Sequence, residues 1–427
     1  MRRIICLCVA FAAVFATVFL AAESQAQEVV VNVSTRKIAL ALAQPQAQGG
    51  VQASLEQDVA KTMRHGLELS GLFSIIHPDQ FLPKLANETT TSTSYVGWHA
   101  TGADALIKVG YRALGSGLEL DMRLYDVTGE REIKLAYVKP AATTSNYKPA
   151  VYAFVNAVIK HYTGQEGFLG QRILAVQRSK RGAPPRVVSL GIDGSDVSVV
   201  KTENTVQVLP SWGPGGGVLY TSYARSNPDL YLNGKLISSF SGMNTGADYC
   251  AGNGRIALTL SKDGNAEIYT MDARGGNLMR LTSNGAIDTS PSWSPDCSKI
   301  AFVSDRGGSP QIYVMNADGS GATRLSMVGK YNTNPAWARQ GGKIAFSARD
   351  EYNGLDIFVM NSDGSELERI TQGQGKNDAP SWSPDGRYLV FSSTRDGGSK
   401  IYLSTADGKS QIAVTEGSGY EAPVWSH

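Results

Sequence analysis

Residues 299–325 read KIAFVSDRGGSPQIYVMNADGSGATRL, and two copies follow: KIAFSARDEYNGLDIFVMNSDGSELERI over 343–370 and RYLVFSSTRDGGSKIYLSTADGKSQIAV over 387–414. Each is preceded by Pro-x-Trp. Glycines at 194, 234, 275, 319, 364 and 408 recur 40 to 45 residues apart, each in a turn between two short β-rich runs. One unit therefore holds four short strands: A around Pro-x-Trp, B as in Ile300 to Ser304, C as in Gln311 to Met315, and D as in Ala322 to Leu325. A four-stranded unit of this length cannot bury both faces alone, so the copies must stack; this period with four strands predicts a β-propeller. Six copies predict six blades.

Asp-Gly at 193–194, 318–319, 363–364 and 407–408, and Asn-Gly at 233–234, suit the positive φ of tight hairpins. The aspartates lack the clustered spacing of a calcium loop. Trp212, Trp293, Trp337, Trp382 and Trp425 read as wedges between neighbouring sheets, whereas the second unit departs with Asp248-Tyr249-Cys250. The last unit owns a strand A but nothing after His427, and the first has B, C and D from Arg172 with no A ahead of them. The two fragments are expected to complete one blade, Pro423 to Ser426 pairing with Arg172 to Val176, which removes exposed sheet edges.

Upstream, Val51, Leu55, Val59, Met63 and Leu67 form a helical stripe that Gly71 is expected to end. ALIKVGYRAL and LELDMRLYDV flank Gly115-Ser116-Gly117 as a hairpin, and Val151 to Tyr162 predicts a second helix. Strands and helices thus alternate in an α/β domain over 27–163, joined by a linker at 164–171 to an all-β six-bladed propeller over 172–427 closed by the C-terminal strand. Residues 1–26 read as a signal peptide: Arg2 and Arg3 precede an apolar run from Ile4 to Ala22, and Ser24-Gln25-Ala26 offers small residues at a cut after Ala26. An uncleaved anchor is the rival reading.

With 42% apolar and 18% charged residues and a formal charge of +2 without a Lys/Arg block, the composition is globular and points neither to nucleic acid nor to an anionic membrane surface. Cys6 and Cys8 leave with the signal. Cys250 and Cys297 remain, both off the repeat near the turn from strand A to strand B, and an oxidising compartment permits a disulfide between them; two free thiols are the alternative. No Cys-x-x-Cys suggests a zinc site. His65, His77, His99 and His161 precede the propeller and His427 ends it, so no base stands near a propeller nucleophile, and no Gly-x-Ser-x-Gly elbow occurs. No catalytic residue, metal ligand or resident cofactor is expected. Asp288, Asp378 and Glu421, with Asn332 and Asn377, lie four or five residues before their tryptophans. Loops entering strand A reach one rim of the channel, so these side chains are either solvated loop residues or a partner or channel-cation site.

The signal, the α/β domain, the Pro-x-Trp/Asp-Gly repeats and the terminal closure together resemble the TolB family, periplasmic propeller proteins of the Tol-Pal cell-envelope system. The segment WHATGADALI at 98–107 and the ending Ala422-Pro423-Val424-Trp425-Ser426 narrow the likeness. The resemblance implies a non-enzymatic periplasmic adaptor that serves outer-membrane integrity and constriction at division. It implies the lipoprotein Pal as a partner on the propeller and the inner-membrane protein TolA on the mature N-terminal segment. A family stretch His-Asn-Gly-Ala on the Pal-facing rim matches Asn244, Thr245, Gly246 and Ala247, where Asn244 and Thr245 depart from the pattern, and a family threonine matches Thr289. With Asp288 and Asp378 these form the expected Pal face; Glu28, Val29, Val30, Val31, Asn32 and Val33 form the expected TolA segment. A monomer is expected, peripheral to membranes through its partners, with other outer-membrane proteins among these. A propeller enzyme acting on sugars or peptides and an unrelated exported scaffold stay open as alternatives.

Overall fold

The structure, a computed structural model, describes residues 36–47, 53–115, 117–178, 182–200, 204–349 and 354–426. The expected signal segment and residues 28–33 lie outside them. In the N-terminal domain, strand Ile38–Leu42 pairs in parallel with Phe73–Ile75 on one side and Ala105–Leu114 on the other. The expected hairpin follows, Ala105–Leu114 running antiparallel to Gly117–Asp126, and Arg131–Ile133 completes that edge. Period-two alternation sends Leu40, Leu42, Ile107, Val109 and Leu124 to one face, under helices Ala53–Leu69 and Lys148–Thr163. The helices contribute Leu55, Val59, Met63, Leu67, Val151, Phe154, Val155 and Val158 to that layer. The opposite residues Ala41, Leu106 and Tyr125 pack on Trp98 and Leu85, carried by three short helical turns between Pro78 and His99. Shorter than two turns each, these leave no helical period in the sequence.

Lys108 sits inside this second layer, 2% exposed. Its Nζ donates to Glu88 Oε2 at 2.6 Å and to the carbonyls of Ser92 and Thr89 at 2.5 and 3.2 Å. Burial depresses the Lys108 ammonium pKa against the pull of Glu88. Burial also raises the Glu88 carboxyl, but hydrogen bonds from Lys108, Trp98 and Ser94 outweigh it and hold the group below its usual value.

The remainder is a six-bladed propeller in which every blade is one four-stranded antiparallel sheet. Blade 1 takes its strand A, Tyr420–Trp425, from the end of the chain and its strands B, C and D from 172–199, so the C-terminal strand closes the ring as expected. Blades 2 to 6 begin with strands A at Gln207–Trp212, Asn244–Cys250, Asp288–Trp293, Asn332–Trp337 and Asn377–Trp382. The turn glycines Gly194, Gly234, Gly275, Gly319, Gly364 and Gly408 have φ between +73° and +89°. A Cβ at four of them would also strike a backbone carbonyl of the preceding blade, Val414 for Gly194, Ile237 for Gly275, Leu281 for Gly319 and Ile370 for Gly408, and one at Gly364 would crowd the Leu325 carbonyl at 3.1 Å. The repeat period therefore marks blade stacking as well as turn geometry. The turn aspartates accept from their own turn, Asp318 Oδ1 from the Ser320 amide at 2.9 Å and hydroxyl at 2.7 Å.

One core runs through the junction of domain and propeller. Phe168 in the linker stacks edge-on against Tyr388 at 4.7 Å and Trp425 at 5.9 Å, and Tyr388 Oη donates to Ser70 O at 3.1 Å.

Candidate functional site

Each strand A contains one β-bulge. Register with strand B slips between Val208 and Ser211, Thr245 and Asp248, Thr289 and Ser292, Thr333 and Ala336, Asp378 and Ser381, and Glu421 and Val424. The third residue of each strand is left-handed: Leu209, Gly246, Ser290, Asn334, Ala379 and Ala422, with φ from +48° to +61°. Only Gly246 takes this conformation without a Cβ penalty. The next residue is proline in five blades and Ala247 in blade 3. Proline inside a sheet is confined to edges and bulges because it has no N–H to give, so the Pro-x-Trp motif itself carried the signal for the bulge. The tryptophan marks the wedge and the proline two residues before it marks the bulge.

The bulges line the channel, whose cavity measures about 190 Å³. Below them, in blades 3, 4 and 6, the residue before the aromatic position ties its strand to the next blade. Asp248 Oδ2 accepts from Trp293 N at 2.7 Å, Ser292 Oγ from Trp337 N at 3.1 Å, and Ser381 Oγ from Trp425 N at 3.1 Å. Trp382 Nε1 donates to Ala336 O at 3.0 Å and Trp212 Nε1 to Val424 O at 3.2 Å, so the indoles bridge blades as well as wedging them. Burial raises the Asp248 carboxyl pKa; the charge of Arg339 and the amides of Trp293 and Tyr249 oppose this.

Above the bulges, the second residue of each strand forms the rim: Val208, Thr245, Thr289, Thr333 and Asp378 are half-buried and Glu421 is exposed. Around the ring, Asp378 and Glu421 lie across from Thr245 and Thr289, so the acidic blades stand opposite uncharged ones. Asp378 is held by Asn334 Nδ2 at 2.9 Å and Lys376 Nζ at 3.0 Å.

Three residues expected on this face sit elsewhere. Asn244 is fully buried; its Oδ1 accepts from Ser238 Oγ and Phe240 N, and its Nδ2 donates to the Phe240 and Gly242 carbonyls. Asp288 is equally buried, its Oδ2 taking Asn284 Nδ2 and Arg306 Nη2 at 2.8 Å each. Both are first residues of their strands, where the side chain turns under the entering loop, as do the fully buried Asn332 and Asn377, which donate to the Val328 and Gln374 carbonyls; Gln207, also fully buried, instead accepts from Val187 N of the neighbouring blade. Ala247, 6% exposed, packs with Leu219, Leu230 and Leu258, so bulk there would disturb the core before it met a partner. Thr245, Gly246, Thr289 and Asp378 remain accessible at or beside the rim.

Cys250, at the end of strand A in blade 3, and Cys297, in the following blade, form a disulfide with Cα atoms 6.0 Å apart. Among the described residues no group of three or more His, Cys, Asp or Glu is placed to hold a metal ion, and no helix is long and apolar enough to cross a membrane.

Residues 159–427 match the family model of the TolB beta propeller domain and residues 28–133 that of the TolB amino-terminal domain. The chain is 36% identical over 299 residues to the Tol-Pal system protein TolB of Anaeromyxobacter dehalogenans, covering 67% of each. It is 29% identical over 267 residues to the protein TolB homolog of Chlorobium luteolum, covering 61% of this chain and 60% of that one. The crystal structure of TolB from Acinetobacter baumannii superposes with a TM-score of 0.78 at 24% identity, over 91% of this chain and 96% of that one, a likeness of fold.

Proposed function

The chain belongs to the TolB family and is a Tol-Pal system component, and from that premise we propose that it is a non-enzymatic periplasmic adaptor. It binds the lipoprotein Pal on the propeller rim and TolA through residues 28–33, and so supports outer-membrane integrity and constriction at division. The observation that carries the Pal reading is the rim: the small uncharged residues Thr245, Gly246 and Thr289 face the carboxylates of Asp378 and Glu421 across an open channel mouth. Such a face lets a partner backbone come close on one side and meet negative charge on the other. Asn244 and Asp288 serve it indirectly, by fixing the loops that end at Thr245 and Thr289. The TolA reading rests on an extended run of alternating valines able to add to a partner's sheet edge.

The test is a pull-down with the cognate Pal periplasmic domain, comparing wild type with Thr289→Arg, which adds bulk on the rim and leaves the core alone. Loss of Pal with unchanged melting supports the reading; undiminished binding overturns this face. Deleting residues 28–33 should abolish TolA capture and leave Pal capture measurable.

A further inference from the structure

The junction between blades 4 and 5 differs from its counterparts. A rung common to the repeat fixes the comparison: Thr282, Ser326, Thr371 and Thr415 each accept with their hydroxyl from the first isoleucine amide of strand C, at 2.9 to 3.1 Å. The two residues after that rung are Ser283-Asn284, Gln372-Gly373 and Glu416-Gly417 in three loops, but Met327-Val328 in the loop that follows blade 4. These two side chains are 70% and 68% exposed. The facing wall changes in the same direction. Tyr269 and Tyr402 direct their hydroxyls to Asp263 and Asp396 in their own blades, and the equivalent in blade 5 is Phe358, stacked on Phe346 at 5.9 Å.

Between these walls lies a crevice of about 760 Å³, within the range of small-molecule sites. Alternate residues of two neighbouring strands, Phe346 with Ala348 and Phe358 with Met360, make its apolar floor. Charge sits at one end: Lys330 in the loop and Arg349 at the close of strand B. Arg369 also lines it, already held by Asp356. No carboxylate lines it among the described residues. Asn332, fully buried beside the cationic end, spends its Nδ2 on Gln311 and Val328, which leaves its Oδ1 a buried acceptor without a partner.

An apolar lane with cations at one end and a buried acceptor beside them fits a linear molecule with an anionic head and a donor next to it. We propose that the crevice between blades 4 and 5 is a binding site for a single-chain fatty carboxylate bearing a hydroxyl near its head group. The chain lies on Phe346, Phe358 and Met360 under Met327 and Val328, the carboxylate meets Lys330 and Arg349, and the hydroxyl donates to Asn332 Oδ1. The site lies at the loop entering strand A of blade 5, beside the rim residue Thr333, shares no lining residue with the channel cavity, and does not rest on the partner reading.

Calorimetric titration of the full chain with 3-hydroxydodecanoate, below its micelle concentration, tests the proposal. One molecule should bind per chain, at least about tenfold tighter than dodecyltrimethylammonium, and 3-hydroxybutanoate should not bind. Met327→Ser with Val328→Asn, which restores the polar repeat in an exposed loop, should weaken binding by roughly tenfold, and Lys330→Glu by a comparable factor. The proposal is overturned if 3-hydroxydodecanoate does not bind, if the cationic amphiphile binds as well, if the loop variant binds like wild type, or if the chain binds only phosphatidylglycerol vesicles.

Discussion

The indole Nε1 of Trp425 donates to Gln171 Oε1 at 2.6 Å, joining the strand that closes the ring to the linker that opens it. The same indole packs on Phe168, and Ser426 N donates to Arg172 O at 2.9 Å. Closure of the propeller and docking of the N-terminal domain therefore share one set of contacts.

Deleting residues 423–427 should lower the melting temperature and loosen the N-terminal domain together, seen as one shifted transition in calorimetry. Trp425→Ala alone should cost about 3–5 kcal/mol in denaturant melts, as for other buried large-to-small changes. A truncated chain with wild-type melting would refute the shared contact.

The bridge between Cys250 and Cys297 closes a loop of 47 residues. Loop entropy puts its contribution at about 3–4 kcal/mol. Urea unfolding of Cys297→Ala, or of wild type under reductant, should show a loss of that order, and alkylation of the denatured, non-reduced protein should leave Cys250 and Cys297 unlabelled.

Lys108→Met removes the partner of a nearly buried carboxylate and should destabilise the N-terminal domain by about 3–5 kcal/mol. Because Glu88 is held below its usual value in the folded state, its contribution is present above the unfolded carboxyl pKa and is lost as the pH falls through the folded one. The variant's deficit should shrink in acid.

Tyr388 has its phenol pushed up to about 12, chiefly by burial at the domain junction. The folded state thus disfavours the phenolate. Its stabilising contribution is complete below the unfolded value of about 10 and is lost as the pH rises through 12. Tyr388→Phe, without an ionisable hydroxyl, should lose less stability than wild type between pH 10 and 12, at a cost near neutrality of about 1 kcal/mol for the bond to Ser70.

Gly319→Ala and Gly102→Ala separate two roles of glycine. Both positions have positive φ, +89° and +80°, but a methyl at 102 meets open space and one at 319 meets the Leu281 carbonyl. The first should cost about 1–2 kcal/mol and the second clearly more.

What the sequence showed and hid follows from the range of each signal. Repetition exposed the blades, and the complementary ends at Arg172 and Trp425 exposed the closure, because both depend on pattern over long stretches. The burial of Asn244 and Asp288 was hidden, since both precede a bulge that no alternation rule anticipates and carry side chains ordinarily left in water. The apolar departure at Met327, Val328 and Phe358 was written in the chain, yet only the fold brings a loop of one blade against the third strand of the next.

The six bulges divide every inner strand into two segments that no longer share a phase. An upper residue such as Thr289 can be exchanged without turning the aromatic anchor below it, Trp293, out of its slot. The scaffold thereby separates what is displayed at the mouth from what holds the wheel together, so the six upper positions can drift toward new recognition while the lower ones stay under the discipline of packing.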